Sequence, residues 1–313
     1  MKVIVQIPCY NEEQTLPLVL ESIPKKIKGV DSLEVLIIDD GSTDKTIEVA
    51  KKFGVQHFIY HRRNMGLARG FQDGANLALE LGADILVSTD GDNQYPQEKI
   101  PDLIQPIIDG RAEIVVADRQ TAKIAHFSPL KKALQKFGSY MVNKAAGTDL
   151  PDAASGFRAY SRLSLLRLNV ITKFSYCMET IIQAGNKRLA ITSIPVKTNL
   201  KTRESRLFKN MWQHVFMSMS AIVRAYIMYK PRVVFSVSSG AFLLVGLVPF
   251  IRFLVLAGEG NSSGHLQSLI IGAVLIFIAF LLAVLGVVAD LIHINRILLE
   301  ENLEHTKRNR LKE

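Results

Sequence analysis

Two long apolar runs in the C-terminal third constrain the fold of this chain more than any other feature. They cover residues 233–257 and 268–295. A helix needs roughly 20 residues to cross a hydrocarbon core of about 30 Å. In lipid, only a helix or a closed barrel satisfies every backbone polar group. We therefore expect both runs to be membrane-spanning helices, joined as a hairpin.

The positive charges around these runs predict how the hairpin is oriented. Arg224, Lys230 and Arg232 precede the first run, and five lysines or arginines follow the second within 296–313. The connection at 258–267 contains none. Because cytoplasmic loops are the ones enriched in lysine and arginine, both termini and the N-terminal domain are predicted to be cytoplasmic.

The segment before the hairpin has a helical apolar period. Leu207 and Met211 belong to an apolar stripe with steps of three and four residues, and Lys209 falls on another face. This pattern suits a helix lying in the headgroup region, and equally a helix packed on a soluble domain. The predicted regions are a domain at 1–206, an amphipathic juxtamembrane region at 207–232, a transmembrane hairpin at 233–295 and a basic cytoplasmic tail at 296–313.

The first 206 residues alternate short apolar runs with segments of helical period. The predicted strands are 3–8, 34–39, 56–60, 84–89, 113–117 and 190–196. Alternating strands and helices favour an α/β fold with a mostly parallel, Rossmann-like sheet that is covered by helices on both faces. The run at 3–8 is too short for a signal peptide and is predicted to be the first strand.

Asp90 and Asp92 follow a predicted buried strand, at the edge where open α/β sheets bind ligands. Two neighbouring carboxylates suit Mg²⁺, which one or two protein carboxylates usually hold together with water and substrate phosphates. The implied substrate is a diphosphate. Ordinary turn chemistry also explains an isolated Asp-Gly-Asp, so the other strand ends decide between the two.

Three further strand ends bring polar side chains to the same edge. The first strand is followed by Asn11 and Glu12, the second ends in Asp39, and the fifth is followed by Arg119. Either Ser42 or Thr43 is expected to cap the helix after the second strand. In the small-residue stretch at 149–160, Asp152 is the natural polar centre, either as a functional acid or as a helix cap.

Charge and cysteine content narrow the possible partners. The formal charge is +9 with a pI near 9.5, which suits nucleic acid, an anionic membrane surface or a phosphorylated substrate. Nucleic acid is disfavoured because the basic residues lie beside lipid-facing segments and not among base-stacking aromatics. Two cysteines suggest neither a disulfide framework nor a zinc site.

Four motifs together resemble family 2 glycosyltransferases of the GT-A fold. They are Ile-Pro-Cys-Tyr-Asn-Glu at 7–12, Ile-Asp-Asp-Gly-Ser-Thr-Asp at 38–44, Asp-Gly-Asp-Asn-Gln at 90–94 and Ser-Gly-Phe-Arg-Ala-Tyr at 155–160. The polyprenyl-phosphate branch is the most similar, as in dolichol-phosphate mannose synthase and bacterial undecaprenyl-phosphate glucosyltransferases. The resemblance covers residues 1 to about 206.

The resemblance implies a role for individual residues. Nucleotide-sugar binding is expected from Pro8, Tyr10, Glu12, Asp39, Asp90 and Gln94. Mg²⁺ or Mn²⁺ is expected at Asp90 and Asp92, which count as catalytic together with Asp152 and Arg119. Phosphate and lipid-phosphate contacts are expected from Arg119, Lys136, Arg203, Ser205 and Arg206.

The implied reaction is inverting transfer of a hexose from a nucleotide sugar, of the UDP-glucose type or GDP-mannose, to a polyprenyl or dolichyl monophosphate. A membrane-anchored nucleotide-sugar binder without turnover is the alternative from another class. A processive polysaccharide synthase is disfavoured because Trp212, the only tryptophan, follows Asn210 and Met211 and lacks the Gln-x-x-Arg-Trp signature. Gly240 and Gly246 could support a homo-oligomer.

Overall fold

The computed structural model describes residues 1–121, 129–171, 176–199, 220, 223–224, 226–258 and 266–311. Its strands are β1 (Lys2–Cys9), β2 (Ser32–Asp39), β3 (His57–Tyr60), β4 (Ile85–Ser88), β5 (Ile114–Asp118), β6 (Arg158–Ser161) and β7 (Ile191–Pro195). Its helices are α1 (Leu16–Ser22), α2 (Thr46–Lys52), α3 (Leu67–Glu80), α4 (Ile100–Ile108), α5 (Pro129–Ala146), α6 (Arg162–Arg167), α7 (Tyr176–Asn186), α8 (Pro231–Gly258) and α9 (Leu266–Arg310), with a short 3₁₀ helix at Gln97–Lys99.

The strands form one seven-stranded sheet in the order β3-β2-β1-β4-β6-β5-β7. β1 pairs in parallel with β2 and β4, and β5 pairs in parallel with β7. Cys9 lies opposite Asp39, and Gln6 lies opposite Ser88, so the carboxyl ends of the central strands meet at one rim. The predicted mostly parallel α/β sheet is confirmed.

β6 is the antiparallel exception and was not predicted as a strand. It lies between β4 and β5, where Ala159 pairs with Val87 on one side and Val115 on the other. The strand is only Arg-Ala-Tyr-Ser, too short and too polar to show an apolar run. Only its position in the fold makes it a strand, because its first three residues are fully buried between β4 and β5.

The core of the sheet consists of aliphatic side chains from β1, β4 and β5 with helices on both faces. α3 buries Phe71, Ala75 and Ala78, in agreement with the predicted helical period. Gly74 lets this helix approach the sheet closely, since a Cβ there would lie 2.3 Å from Gln6 Oε1. α3 therefore packs directly against β1, whose carboxyl end is part of the rim.

Residues 223–301 form a separate compact unit. It contains all of α8 and most of α9, whose most apolar windows have mean hydropathies of 2.3 and 3.1. Both helices are long and apolar enough to cross a membrane. Gly246 and Gly272 face each other, because a Cβ on Gly272 would lie 3.0 Å from the Gly246 carbonyl oxygen. The Ser239 hydroxyl also donates to the Ala279 carbonyl at 2.7 Å.

The segment predicted as a basic tail is helical up to Arg310. Residues 302–313 group with residues 1–222 in the first compact unit. There Lys307 Nζ donates to the Leu168 carbonyl at 3.0 Å, at the end of α6. Burial lowers the pKa of Lys307 to about 8. Arg310 pairs with Glu80 at 2.6 Å.

Replacing Gly272 with leucine should destabilise the helix pair. The new side chain would begin 2.9 Å from Phe250 Cβ and force the helices apart, which costs about 1–3 kcal/mol in a packed interior. Unfolding of the full chain by SDS in mixed micelles measures the effect. Gly258→Leu, at the end of α8, is the control, because a Cβ on Gly258 meets nothing within 4 Å. Equal midpoints for the two variants would contradict close packing at Gly272.

Candidate active site

Residues 89–95, which we call the acidic turn, leave β4 at the rim of the sheet. Asp90 and Asp92 are both partly exposed on it. The Gln94 side-chain amide donates to Asp92 Oδ2 at 2.9 Å, and its backbone N–H donates to Oδ1 at 3.1 Å. Asn93 has a φ of +59°, a region that non-glycine residues seldom occupy, although asparagine occupies it more often than most. The carboxylates are therefore carried by a backbone that needs support from other elements.

The first half of the acidic turn is packed against the end of β1. A Cβ on Gly91 would lie 3.3 Å from Cys9 Sγ, Glu12 Cγ and the Pro8 carbonyl oxygen. The Thr15 hydroxyl lies 2.8 Å from the Gly91 carbonyl oxygen and 2.7 Å from Glu12 Oε2, so it can donate to either. Glu12, a predicted nucleotide-binding residue, is thus held against the turn that bears the two aspartates.

The second half of the turn is held by Asn199 and Gln97. The Asn199 backbone N–H donates to the Gln94 carbonyl at 2.9 Å, and its side-chain amide donates to the Asn93 carbonyl at 3.0 Å. The same amide lies 3.4 Å from the Tyr95 carbonyl, to which the Gln97 amide donates at 3.1 Å. The conformation of the turn is therefore fixed from two directions.

The predicted nucleoside-binding residues lie at the ends of β1 and β2. Asp39 is buried, and its Oδ1 accepts from the Ser42 N–H at 3.1 Å. The Ser42 hydroxyl accepts from the Asn11 N–H at 2.9 Å, which ties the two strand ends together. Tyr10 is exposed, with 39% of its surface accessible, and can offer its ring to a base.

The expected cap of the following helix is wrong. α2 begins at Thr46, four residues after Ser42 and three after Thr43, and its N-cap residue, Lys45, makes no side-chain capping hydrogen bond. Ser42 is instead used between the strand ends, and Asp44 accepts from the Thr46 N–H at 3.0 Å. Serine and aspartate side chains readily form local hydrogen bonds with the backbone. Here Ser42 bonds to the distant Asn11 N–H and does not cap the helix.

Arg119 and Asp152 form a bidentate ion pair. Arg119 Nε donates to Asp152 Oδ2 at 2.6 Å, and a terminal guanidinium nitrogen donates to Oδ1 at 2.9 Å. The Asp152 side chain is 2% exposed and that of Arg119 is 18% exposed. Burial alone would raise the pKa of Asp152, but the charge and hydrogen bonds of Arg119 outweigh it and lower the pKa. Asp152 is thus a weak base that fixes the orientation of Arg119.

Arg158 supports the loop that carries Asp152. It is fully buried, and its guanidinium donates to the carbonyls of Ser155 at 2.7 Å, Ala153 at 2.9 Å and Cys177 at 2.7 Å. Hydrogen bonding to several acceptors is what makes a buried cation tolerable. The loop before β6 is therefore shaped by the first residue of that strand.

Two more contacts join the same loop to its surroundings. The Ser139 hydroxyl accepts from the Ala153 N–H at 3.1 Å, and the Tyr95 hydroxyl accepts from the Gly156 N–H at 3.0 Å. Gly156 also lies against Asp90, because a Cβ there would be 3.4 Å from Asp90 Oδ2. The acidic turn and the Asp152 loop consequently form one connected surface.

The structure describes two of the five predicted phosphate-binding residues. Lys136 lies on the exposed face of α5, and Arg119 lies at the rim, paired with Asp152. Arg203, Ser205 and Arg206 lie outside the described residues.

A pocket with a volume of about 420 Å³ lies beside the rim, next to the loop after β3. Its lining includes Arg62, Arg63 and Arg69, which suit an anionic group. It adjoins the end of β2, since a Cβ on Gly41 would lie 2.9 Å from the Arg63 carbonyl carbon. It does not contain the two aspartates of the acidic turn.

The donor chemistry of the acidic turn fits a hard divalent cation. Among the described residues, no group of three or more His, Cys, Asp or Glu side chains could hold a metal. Asp90 and Asp92 alone offer carboxylate oxygens on the turn, which suits Mg²⁺ because its remaining ligands are usually water and substrate phosphate. The site therefore fits a metal that arrives with, or is completed by, a diphosphate.

Comparison with known proteins identifies the family. The sequence model described as "Glycosyl transferase family 2" matches residues 4–168, more than half of the chain. The chain belongs to glycosyltransferase family 2. The resemblance predicted from the four motifs is confirmed, and so is the prediction that this glycosyltransferase is an enzyme.

Two similar proteins carry names from the polyprenyl-phosphate branch. The UDP-N-acetylglucosamine–dolichyl-phosphate N-acetylglucosaminyltransferase of Methanococcus voltae is 30% identical over 61% of this chain and 83% of its own. The undecaprenyl-phosphate mannosyltransferase of Micrococcus luteus is 27% identical over 65% of this chain and 85% of its own. The similarity extends along most of both relatives.

Solved structures support the fold of the glycosyltransferase. A glucosyl-3-phosphoglycerate synthase from Mycobacterium tuberculosis, in complex with Mn²⁺, UDP and phosphoglyceric acid, has a TM-score of 0.54 and 20% identity. The match covers 71% of this chain and 78% of that one. At this identity the likeness shows a shared GT-A fold.

Sequence reasoning missed several residues of the glycosyltransferase site. Thr15, Gln97 and Asn199 support the acidic turn, and Tyr95 joins the turn to the Asp152 loop, but none stands in a pattern that marks such a role. Arg158 lies in the Ser-Gly-Phe-Arg-Ala-Tyr motif at 155–160, which marks its position, but its burial is evident only in the structure. Supporting residues of this kind become visible only when distant segments are brought together.

Asp152→Asn should destabilise the fold of the glycosyltransferase by about 3 kcal/mol at neutral pH, because it leaves Arg119 unpaired in a mostly buried position. The folded-state pKa of Asp152 is below its unfolded value of about 3.9. The ion pair therefore stabilises the parent above that pH, and the contribution is lost as the pH falls through the folded pKa.

Urea unfolding from pH 7 to pH 3 measures this difference, which should shrink toward acidic pH. Asp109→Asn is the control, since it removes an exposed ion pair with Arg111 and should change stability little. A variant difference that is independent of pH would contradict the ion-pair account.

Proposed function

We propose that this glycosyltransferase transfers a hexose from a nucleotide sugar to a polyprenyl or dolichyl monophosphate, with inversion at the anomeric carbon. The observation that carries the proposal is the rigidly held acidic turn at the sheet rim, in a chain that also has two helices suited to crossing a membrane. The names of the two relatives support a lipid-phosphate acceptor. The donor is of the UDP-glucose type or GDP-mannose.

The nucleoside binds at the ends of β1 and β2 in this proposal. Pro8 and Tyr10 face the base and ribose, Asp39 contacts the base, and Glu12 is fixed against the acidic turn by Thr15. The diphosphate then extends toward Asp90 and Asp92, and Gln94 lies near the transferred sugar.

A divalent cation, Mg²⁺ or Mn²⁺, is held by Asp90 and Asp92 in the proposed complex. When bound, it supplies positive charge that neutralises the diphosphate leaving group. Gln94 keeps the Asp92 carboxylate in one orientation, so little reorganisation is needed during the reaction. The structurally similar glucosyl-3-phosphoglycerate synthase was solved with Mn²⁺ and UDP bound, which is consistent with this choice of metal.

The nucleophile is an oxygen of the acceptor phosphate itself. An oxygen of the lipid phosphate forms a bond to the anomeric carbon, the bond from that carbon to the diphosphate oxygen breaks, and a nucleoside diphosphate leaves. A phosphate monoester has a second pKa of about 6 and is already ionised at neutral pH. Asp152 is thus not required as a base. It instead orients Arg119 toward anionic phosphate oxygens, with Lys136, Arg203, Ser205 and Arg206 as further phosphate contacts.

The proposed enzyme is a membrane protein with two spans, and its catalytic domain and both termini are cytoplasmic. We also propose that two copies of this chain associate through the exposed side of α8. Gly240 faces open space and suits contact with a second copy. Gly246 is already used against α9 of the same chain.

The proposal is tested by incubating the purified full chain with a panel of nucleotide sugars, a polyprenyl phosphate and Mg²⁺ or Mn²⁺. Product mass should show one hexose added to the lipid phosphate. Asp92→Asn should lower kcat/KM at least about 100-fold, because charge on the leaving diphosphate is no longer stabilised. Asp102→Asn, an exposed acid paired with Lys99, should react like the parent.

Metal-dependent nucleotide binding without transfer to any lipid phosphate would favour the anchored binding protein. Undiminished transfer by Asp92→Asn at saturating metal would contradict the role of the acidic turn.

The pH dependence should follow the acceptor. Below pH of about 6 the lipid phosphate becomes a monoanion, a poorer nucleophile, so kcat/KM for the acceptor should fall as the pH falls. An acceptor analogue with a different second pKa should move this limb by the same amount. A limb that stays in place when the acceptor is changed would indicate a titrating protein base instead.

A further inference from the structure

We propose that Asn199 is a positioning residue that holds the acidic turn in the shape that binds a metal-associated nucleoside diphosphate. The inference rests on the proposed function, because it assigns a supporting residue to the same donor site. Asn199 does not touch the expected ligand itself. It acts through the backbone that presents Asp92.

Asn199 connects distant parts of the sheet. It follows β7, the edge strand, whereas the acidic turn follows β4, and both β6 and β5 lie between those strands. Its side-chain amide reaches the Asn93 carbonyl at 3.0 Å across a sequence separation of 106 residues. An asparagine amide has two N–H donors, and here they serve the Asn93 and Tyr95 carbonyls.

The contact falls on the part of the turn that most needs support. Asn93 has a positive φ, which asparagine tolerates better than other non-glycine residues but which still has a conformational cost that contacts with the surroundings can offset. Asn199 accounts for the carbonyl groups of Asn93 and Gln94 together. It therefore restrains both peptide groups that would otherwise let the turn relax.

Restraint of Gln94 is transmitted to the metal-binding carboxylate. The Gln94 N–H donates to Asp92, and the Gln94 carbonyl accepts from the Asn199 N–H. Its side-chain amide holds the second Asp92 oxygen. Because the amide of Asn199 fixes the residues on either side of Gln94, its loss should change the orientation of the carboxylate without removing it.

The nucleoside end of the site touches the acidic turn only at its first half, at Gly91, whereas the contacts of Asn199 fall on the second half, at Asn93, Gln94 and Tyr95. Glu12 is held by Thr15 and by the Thr46 hydroxyl, which accepts from its N–H at 2.8 Å. Asp39 accepts from the Ser42 N–H. These contacts belong to β1, β2 and their loops. A change at Asn199 should consequently affect diphosphate and metal binding more than nucleoside binding.

Calorimetry on the full chain in detergent tests this difference. UDP and GDP are titrated with Mn²⁺ present, and UMP and GMP are titrated without metal. Asn199→Ala should weaken binding of the diphosphate that the parent prefers by about tenfold, the effect of losing one net hydrogen bond. Monophosphate affinity should stay unchanged. Thr198→Ala, one residue earlier in the same segment, is the matched control and should bind like the parent.

A second variant keeps the test decisive if Asn199→Ala does not fold. Asn199→Asp has the same size and retains the backbone N–H, but lacks the amide donors, and should show the same selective loss. In an Asp92→Asn background, either substitution should cause no additional loss of diphosphate affinity. Equal weakening of monophosphate and diphosphate, or no weakening of either, would overturn the inference.

The outcomes also separate this inference from the proposed reaction. If no lipid phosphate accepts a sugar but the selective loss is observed, the proposed transfer fails and the role of Asn199 stands. If transfer is observed and the Asn199 variants bind diphosphate like the parent, only the role of Asn199 fails.

Discussion

The carbonyl groups of the acidic turn are the constraint on which the rest of the site depends. A buried or partly buried carbonyl needs a donor, and the carbonyls of Gly91, Asn93 and Gln94 find theirs outside the turn. Thr15 approaches the turn from the α1 side, and Asn199 approaches it from the edge strand β7. The sheet therefore has to be complete, from β1 to β7, before two neighbouring aspartates can be presented in one geometry.

Electrostatics divide the site into two parts with different chemistry. The acidic turn concentrates negative charge where a cation is expected, and Gln94 contributes only neutral donors to Asp92. Across Gly156, the Asp152 loop is instead dominated by two arginines, one paired at the rim and one fully buried. A buried carboxylate that is already neutralised by a guanidinium has little capacity to accept a proton. The geometry is thus better suited to stabilising charge on phosphate groups than to proton transfer.

The fold could be predicted from sequence to the extent that its signals are local. Six strands show apolar runs with turn residues at their ends, and the two long helices show their length and hydropathy. β6 could not be predicted, because Arg-Ala-Tyr-Ser becomes a strand only between β4 and β5. The candidate site divides in the same way. Asp39, Asp90 and Asp92 directly follow or end strands, whereas Asn199 and Thr15 act over long sequence separations that no local pattern encodes.

The reversed direction of β6 has a consequence for how such a chain can change over time. β5 leaves the sheet at the rim, and β6 enters it at the same rim, so the intervening residues begin and end beside the site. That stretch contains α5 and the Asp152 loop. None of its described residues belongs to a strand of the sheet, so a change in its length does not by itself shift any strand pairing. The architecture therefore allows the residues between β5 and β6 to vary while β1, β2 and β4 keep their register.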